Sequence, residues 1–192
     1  TMKVYTKLNN EDFRLHSVFT GTPSSTDIWN LVQFEFKHQI TCDQIKIEFT
    51  EVTRDISFGE DFTAACGELY LVQPPTPVTD ELENAQETGD LGDVSYLNAH
   101  RVSTDNFKVS TLGDQNGHGI LNAFDSSTTS FWASSTVNTD TVKNTITFEF
   151  KSSMELDAIV MMPAYSTKTD VNPNTRRYDG FPTTMKVYTA SN

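Results

Sequence analysis

Four histidines, two cysteines and 26 acidic residues are the groups in this 192-residue chain best equipped for chemistry. His16, His38, His100 and His118 are scattered without the spacing of metal ligands, and each reads as a surface or strand residue. Cys42 and Cys66 are too few for a disulfide framework. Each opens an apparent strand, and such ends lie apart in a neighbouring antiparallel pair, so two half-buried thiols are preferred to a bridge. The chain has no His-Glu-x-x-His, no Gly-x-Ser-x-Gly and no phosphate-binding Gly-rich loop. Gln115-Asn-Gly-His-Gly119 is a turn by composition and lacks the alternating acids of an EF-hand. The expectation is a protein that is not an enzyme.

Composition narrows the partners. There are 14 basic residues against 26 acidic ones, a net charge of −12. An acidic chain with no basic stripe argues against nucleic acid as a partner, and less strongly against anionic membrane surfaces. No apolar run approaches the roughly 18 residues of a membrane span, so no transmembrane segment is expected. None of the 13 Asn lies in an Asn-x-Ser/Thr sequon. The chain opens on a strand-like segment, as an excised piece of a longer protein would.

The elements that must position any site are strands. Val32, Phe34 and Phe36 alternate with Gln33, Glu35 and Lys37, and Ile45, Ile47 and Phe49 alternate with Lys46 and Glu48. Ile146, Phe148 and Phe150 repeat the pattern, with Thr147 and Glu149 facing outward. Period two with one apolar face marks a sheet packed on one side. No segment promises a long amphipathic helix; Asp80 to Gln86 is the best candidate, short and acidic. Pro74, Pro75 and Pro77, then six acids without a base, make residues 74–93 an acidic linker between 1–73 and 94–192.

Two repeats relate those segments. Phe34-Glu-Phe-Lys37 recurs as Phe148-Glu-Phe-Lys151, and Asp43 and Ile45 fall on Asp157 and Ile159 at the same offset. Each copy reads as strand, short turn, strand, which suits a sandwich with internal pseudo-symmetry. Thr1-Met-Lys-Val-Tyr-Thr6 returns identically as Thr184-Met-Lys-Val-Tyr-Thr189. Six identical residues at the two ends suggest one period of a tandem repeat, or a deliberate permutation with overlap.

Reordered as 94–192 followed by 7–73, the chain resembles a known family. Ile120-Leu-Asn-Ala-Phe-Asp-Ser-Ser-Thr-Thr-Ser-Phe-Trp132 looks like the Ala-x-Asp-Gly-x-x-x-Thr-x-Trp segment of the discoidin domain, also called F5/8 type C. Ile146 to Pro163 resembles its strand pair ending in Pro-Arg. Gly180-Phe-Pro182 with Met185 to Thr189 is similar to the segment before its Ser-x-Asp-Gly turn. Leu31 to Phe49 resembles its penultimate strands, and Ala64-Ala-Cys-Gly-Glu-Leu-Tyr-Leu-Val72 its closing strand. The resemblance covers all but the linker. It implies a galactose-binding-like fold: all-β, a jelly-roll β-sandwich of about eight antiparallel strands, here in circular permutation. Residues 1–73 would form the C-terminal half of that sandwich and 94–192 the N-terminal half.

The resemblance also implies sites. A structural calcium would take the carboxylates of Asp125 and Glu68, the Ser127 carbonyl and the Ser130 hydroxyl, with the carbonyls of Ala123 and Ala65 completing the shell. Ser126 stands where the family has Gly, which costs backbone strain if its φ is positive. A metal-free Asx-turn by Asp125 is the competing reading. Family members that bind galactose-type sugars combine an aromatic platform with His, Arg and Asn donors. This chain has Ala164 and Ala133 where Arg and His are usual, leaving Tyr165, Arg176, Arg177 and Tyr178 as ligand-binding candidates. Phe58 and Phe62 fall in a loop that would contact membrane or protein, or be buried under the sandwich end.

The resulting expectation is an extracellular or cell-surface module for carbohydrate binding or cell adhesion, with a glycan or cell-surface glycoprotein as partner. The alternative is a structural repeat that associates head to tail through the duplicated TMKVYT strand.

Overall fold

A computed structural model describes residues 6–8, 13–20, 31–52, 64–75, 94–127, 129–135, 138–164 and 181–191. Its strands are β1 (Thr6–Leu8), β2 (Arg14–Thr20), β3 (Val32–Val52), β4 (Ala65–Cys66), β5 (Glu68–Val72), β6 (Phe107–Thr111), β7 (Trp132–Ala133), β8 (Asn144–Met162) and β9 (Pro182–Ser191). Among the described residues all pairings are antiparallel except that of β1 with β9. The fold is an all-β sandwich.

Its frame is the pairing of β3 with β8, the two copies of the Phe-Glu-Phe-Lys repeat. Phe34 stands opposite Ile159, and Ile45 opposite Phe148. Where the two copies pair, equivalent positions exchange places, which is a local pseudo-two-fold axis between the strands. The turns expected inside each copy are absent. Both strands run on continuously, and the register shifts between Glu35 and Ile40 and between Cys42 and Gln44. Lys37, His38 and Gln39 on β3, and Lys151, Ser152 and Ser153 on β8, are the exposed residues at these shifts. Their polar composition mimics a turn, but a bulge absorbs extra residues without reversing the chain.

The bulges also change which residues face inward. On β3 the core takes Phe34, Phe36, Ile40 and Cys42, then switches phase to Ile45, Ile47 and Phe49. On β8 it takes Ile146, Phe148, Phe150, Met154 and Leu156, then switches to Ile159 and Met161. In each copy the switch spans the repeated aspartate, Asp43 or Asp157. One sheet can thereby bend into two layers and keep one interior. Cys42 consequently lies inside β3 rather than at a strand start; it and Cys66 are free and buried.

One layer orders β6, the first half of β8, the second half of β3, β9 and β2. The other orders β5, the second half of β8 and the first half of β3. Phe19 of the first layer meets Phe34 and Phe36 of the second at ring-centroid distances of 5.3 and 5.9 Å. Trp132 of the small β4–β7 pair, Phe181, Met185 and Val187 belong to the same core. At about 25 cal/mol per Å² of apolar surface removed from water, that cluster dominates stability.

Seven residues form a helix, α1 (Val94–His100). It buries Leu97 against Tyr70, Val72, Ala158 and Val160 on the outside of the three-stranded layer. One helical turn and a half leaves too short a period to see in the sequence. Asp80 to Gln86 and most of the acidic linker lie outside the described residues.

Candidate functional site

Glu68 opens β5 immediately after Gly67. A Cβ at Gly67 would stand 2.8 Å from the Pro163 carbonyl oxygen, so only glycine allows the chain to pass that close to the end of β8. The Gly67 N–H donates to the Met162 carbonyl at 2.7 Å. That approach turns the Glu68 side chain inward, where it is 2% exposed.

The loop after the 3₁₀ turn Ile120–Ala123 comes to meet it. The Ser127 N–H donates both to Glu68 Oε1, at 2.9 Å, and to Asp125 Oδ1, at 2.9 Å. The second bond is an Asx-turn by Asp125, the feature on which the competing metal-free reading rests. The Ser130 hydroxyl bonds the Asp125 carboxylate at 2.9 and 2.7 Å, and the Ser130 N–H approaches the Ser127 hydroxyl at 3.3 Å. Ser126 adopts φ 60°, the positive value that its glycine-like position requires. The Arg101 guanidinium donates to the Ser126 hydroxyl at 3.2 Å.

Two carboxylates therefore converge on one small volume. Burial raises the Glu68 carboxyl most, and the hydrogen bond and charge of Asp125 add to it; the N–H groups of Ser127 and Ser126 offset part. The net result is a pKa of about 7. Glu68 Oε2 is buried with no hydrogen-bond partner. A buried carboxylate oxygen left unpaired costs on the order of 1–3 kcal/mol unless something meets it.

Of the six residues expected at a calcium site, Asp125, Ser127, Ser130 and Glu68 are thus brought together. Ala123 is buried at the end of the 3₁₀ turn leading into the loop, and Ala65 is buried in β4 opposite Ala133. Among the described residues no three His, Cys, Asp or Glu side chains gather in one place. A cation here would have two carboxylates and would complete its shell with hydroxyl and carbonyl oxygens, the hard donors that suit Ca²⁺. The two carboxylates and the Ser130 hydroxyl are donors of the kind that ion takes. Tyr165, Arg176, Arg177, Tyr178, Phe58 and Phe62 lie outside the described residues. The chain reaches Tyr165 from the end of β8, where Met162 is the strand partner of Glu68.

Two neighbours carry no motif. Arg101 brings a positive charge to the loop through its bond to Ser126, and both it and Glu68 act on the Tyr70 phenol, which is raised by burial and by Glu68 and lowered by Arg101. Asp114 holds the loop from below: it accepts from Trp132 Nε1 at 2.8 Å, from the Thr111 hydroxyl at 2.7 Å and from the Ile120 N–H at 3.1 Å. A lone acid at the edge of a Gly-rich turn gives no signal that it orients a tryptophan 18 residues on. Neither a scan of protein-family models nor a search of curated proteins returns a match to this chain.

Proposed function

We propose that this chain is a non-catalytic, extracellular binding module of the discoidin type, with carbohydrate on a cell surface as its ligand and a structural Ca²⁺ as its support. The observation that carries the reading is the meeting of Glu68 with the Asp125 loop. Glu68 and Ser127, 59 residues apart in sequence, are joined by a hydrogen bond, and Glu68 Oε2 is left without a partner. Calcium bound there would be held by the carboxylates of Asp125 and Glu68, the Ser130 hydroxyl and the carbonyls of Ser127, Ala123 and Ala65. Its charge would keep both carboxylates ionised and tie the loop to β5.

The sugar surface is assigned to Tyr165, Arg176, Arg177 and Tyr178. An aromatic ring packs on the C–H face of a sugar, and guanidinium groups grip its hydroxyls. Support comes from order along the chain: in sequence these residues follow the end of β8, whose Met162 pairs with Glu68, so calcium would brace the strand that precedes them.

Thermal melts with Ca²⁺ and with a chelator test the first half. Calcium at about 100 times its Kd should stabilise by about 2.7 kcal/mol, and neither Glu68→Gln nor Asp125→Asn should respond. Identical melts in calcium and chelator would remove the metal. A glycan array tests the second half: binding lost in Tyr165→Ala or Arg177→Ala supports it, and no binding across broad glycans sinks the carbohydrate reading.

A further inference from the structure

The place that β9 occupies is defined on all sides. Along Thr184–Thr189 one edge pairs with β3, from Ile45 opposite Thr189 to Glu51 opposite Thr184. The other edge pairs with β2, from Arg14 opposite Thr189 to Thr20 opposite Thr184. Inward, Met185 and Val187 are 1% and 0% exposed within the main core. Outward, Lys186 Nζ and the Tyr188 hydroxyl both reach Glu48 Oε1 at 3.1 Å. The Thr184 hydroxyl donates to Glu51 Oε2 at 2.9 Å.

The six residues making these contacts are Thr-Met-Lys-Val-Tyr-Thr, and residues 1–6 are the same six in the same order. Any side chain that the slot recognises is therefore present twice in each chain. The backbone direction also matches. β1 runs parallel to β9, with Thr6 opposite Thr189, the last residues of the two copies. Thr6, the last residue of the N-terminal copy, and the two residues after it thus run in the direction that a strand between β3 and β2 must have. Within one chain, however, β1 pairs with Thr189–Ser191 only while β9 is in place. The strand that begins at Thr6 therefore leans on the chain's own β9, whereas the N-terminus of another molecule is under no such constraint.

We propose that the β9 slot is an acceptor for residues 1–6 of a second copy of this chain, which joins molecules end to end by strand exchange. The inference stands on β9 and the duplicated hexapeptide and does not depend on a calcium or sugar site. Donor and resident strands present the same side chains, so the exchange is near balance and concentration sets its extent. The chemistry of recognition is a β-strand with two apolar teeth on one face, and a Lys and a Tyr that share one carboxylate on the other.

Lys186 stands directly opposite Glu48, so residue 3 of a donor would do the same. Full-length chains carrying only Lys3→Cys are mixed with chains carrying only Glu48→Cys and treated with a short thiol cross-linker. The native thiols, Cys42 and Cys66, are buried and raised by that burial, so they stay silent. Cross-linked heterodimer that grows with concentration is expected, several-fold more when the acceptor also carries Val187→Asp, and lost when the donor carries Val4→Asp. No heterodimer above that given by an exposed Glu149→Cys control overturns the proposal. So does a heterodimer indifferent to Val4→Asp, or a Val187→Asp chain that keeps its stability yet never cross-links, which would mean filling from within. If Val187→Asp does not fold, the unmutated acceptor decides alone.

Discussion

Asp114 and Glu68 are two acids that meet the same stretch of chain, Ile120 to Trp132, and they are treated in opposite ways. Asp114 is exposed by area, yet three donors converge on it: the Trp132 indole, the Thr111 hydroxyl and the Ile120 N–H. Burial pushes its carboxyl up, but those donors outweigh it and hold the pKa below the usual aspartate value. Glu68 is buried, faces a second carboxylate and keeps one oxygen unpaired, and its pKa rises to about 7. The first arrangement is complete by itself and serves the fold. The second is incomplete, and in a protein core such incompleteness marks a place where a proton or a cation belongs.

Three measurements would break or sharpen that contrast. Asp114→Ala should cost most, about 3 kcal/mol in denaturant unfolding, because it strands the indole N–H of Trp132 in the core and uncaps Ile120. A loss under about 1 kcal/mol would show that Asp114 is no more than a surface acid. Next comes pH, in chelator. Glu68 has a folded pKa of about 7 against 4.5 for the ordinary carboxyl, so its favourable contribution is complete below about 4.5 and is lost as pH rises through 7. Asp125 and the N–H groups of Ser127 and Ser126 are the groups that act on it. The stability of the native chain relative to Glu68→Gln should therefore fall by about 2 kcal/mol from pH 4.5 to 8. A flat difference would mean that Glu68 is solvated in solution. Smallest is Ser126→Gly: relief of a positive φ should stabilise by about 0.5 kcal/mol, less whatever the Arg101 bond contributes. Destabilisation beyond 1 kcal/mol would assign Ser126 a larger part through its hydroxyl.

Much of this frame can be seen in the residues alone. The alternation at Phe34 and Phe36, at Ile45, Ile47 and Phe49, and at Ile146, Phe148 and Phe150 places buried side chains where the core takes them. The duplication around Phe34 and Phe148 signals the two central strands. Its interpretation as two hairpins fails because Lys37-His38-Gln39 and Lys151-Ser152-Ser153 are polar for a different reason, as bulges at a bend. The meeting of Glu68 with Asp125 is reachable only through a resemblance, since no local spacing relates them. Arg101, Asp114 and the helix at Val94–His100 leave no local trace either, because each acts through tertiary contacts or over too few residues.

The pairing of β3 with β8 has a kinetic consequence. Val32 must find Met161 and Phe49 must find Asn144, with the acidic stretch at 74–93 and the whole Asp114–Trp132 region between them. Such distant partners place this chain among slow folders, because the entropy of closing a long loop is spent before any contact returns it. A ribosome that has released residues 1–100 has made one central strand without its mate, and the interior cannot close until Met162 has emerged. Until then the apolar faces of β3 and β5 are bare, and the nascent chain depends on its acidic surface to stay dispersed.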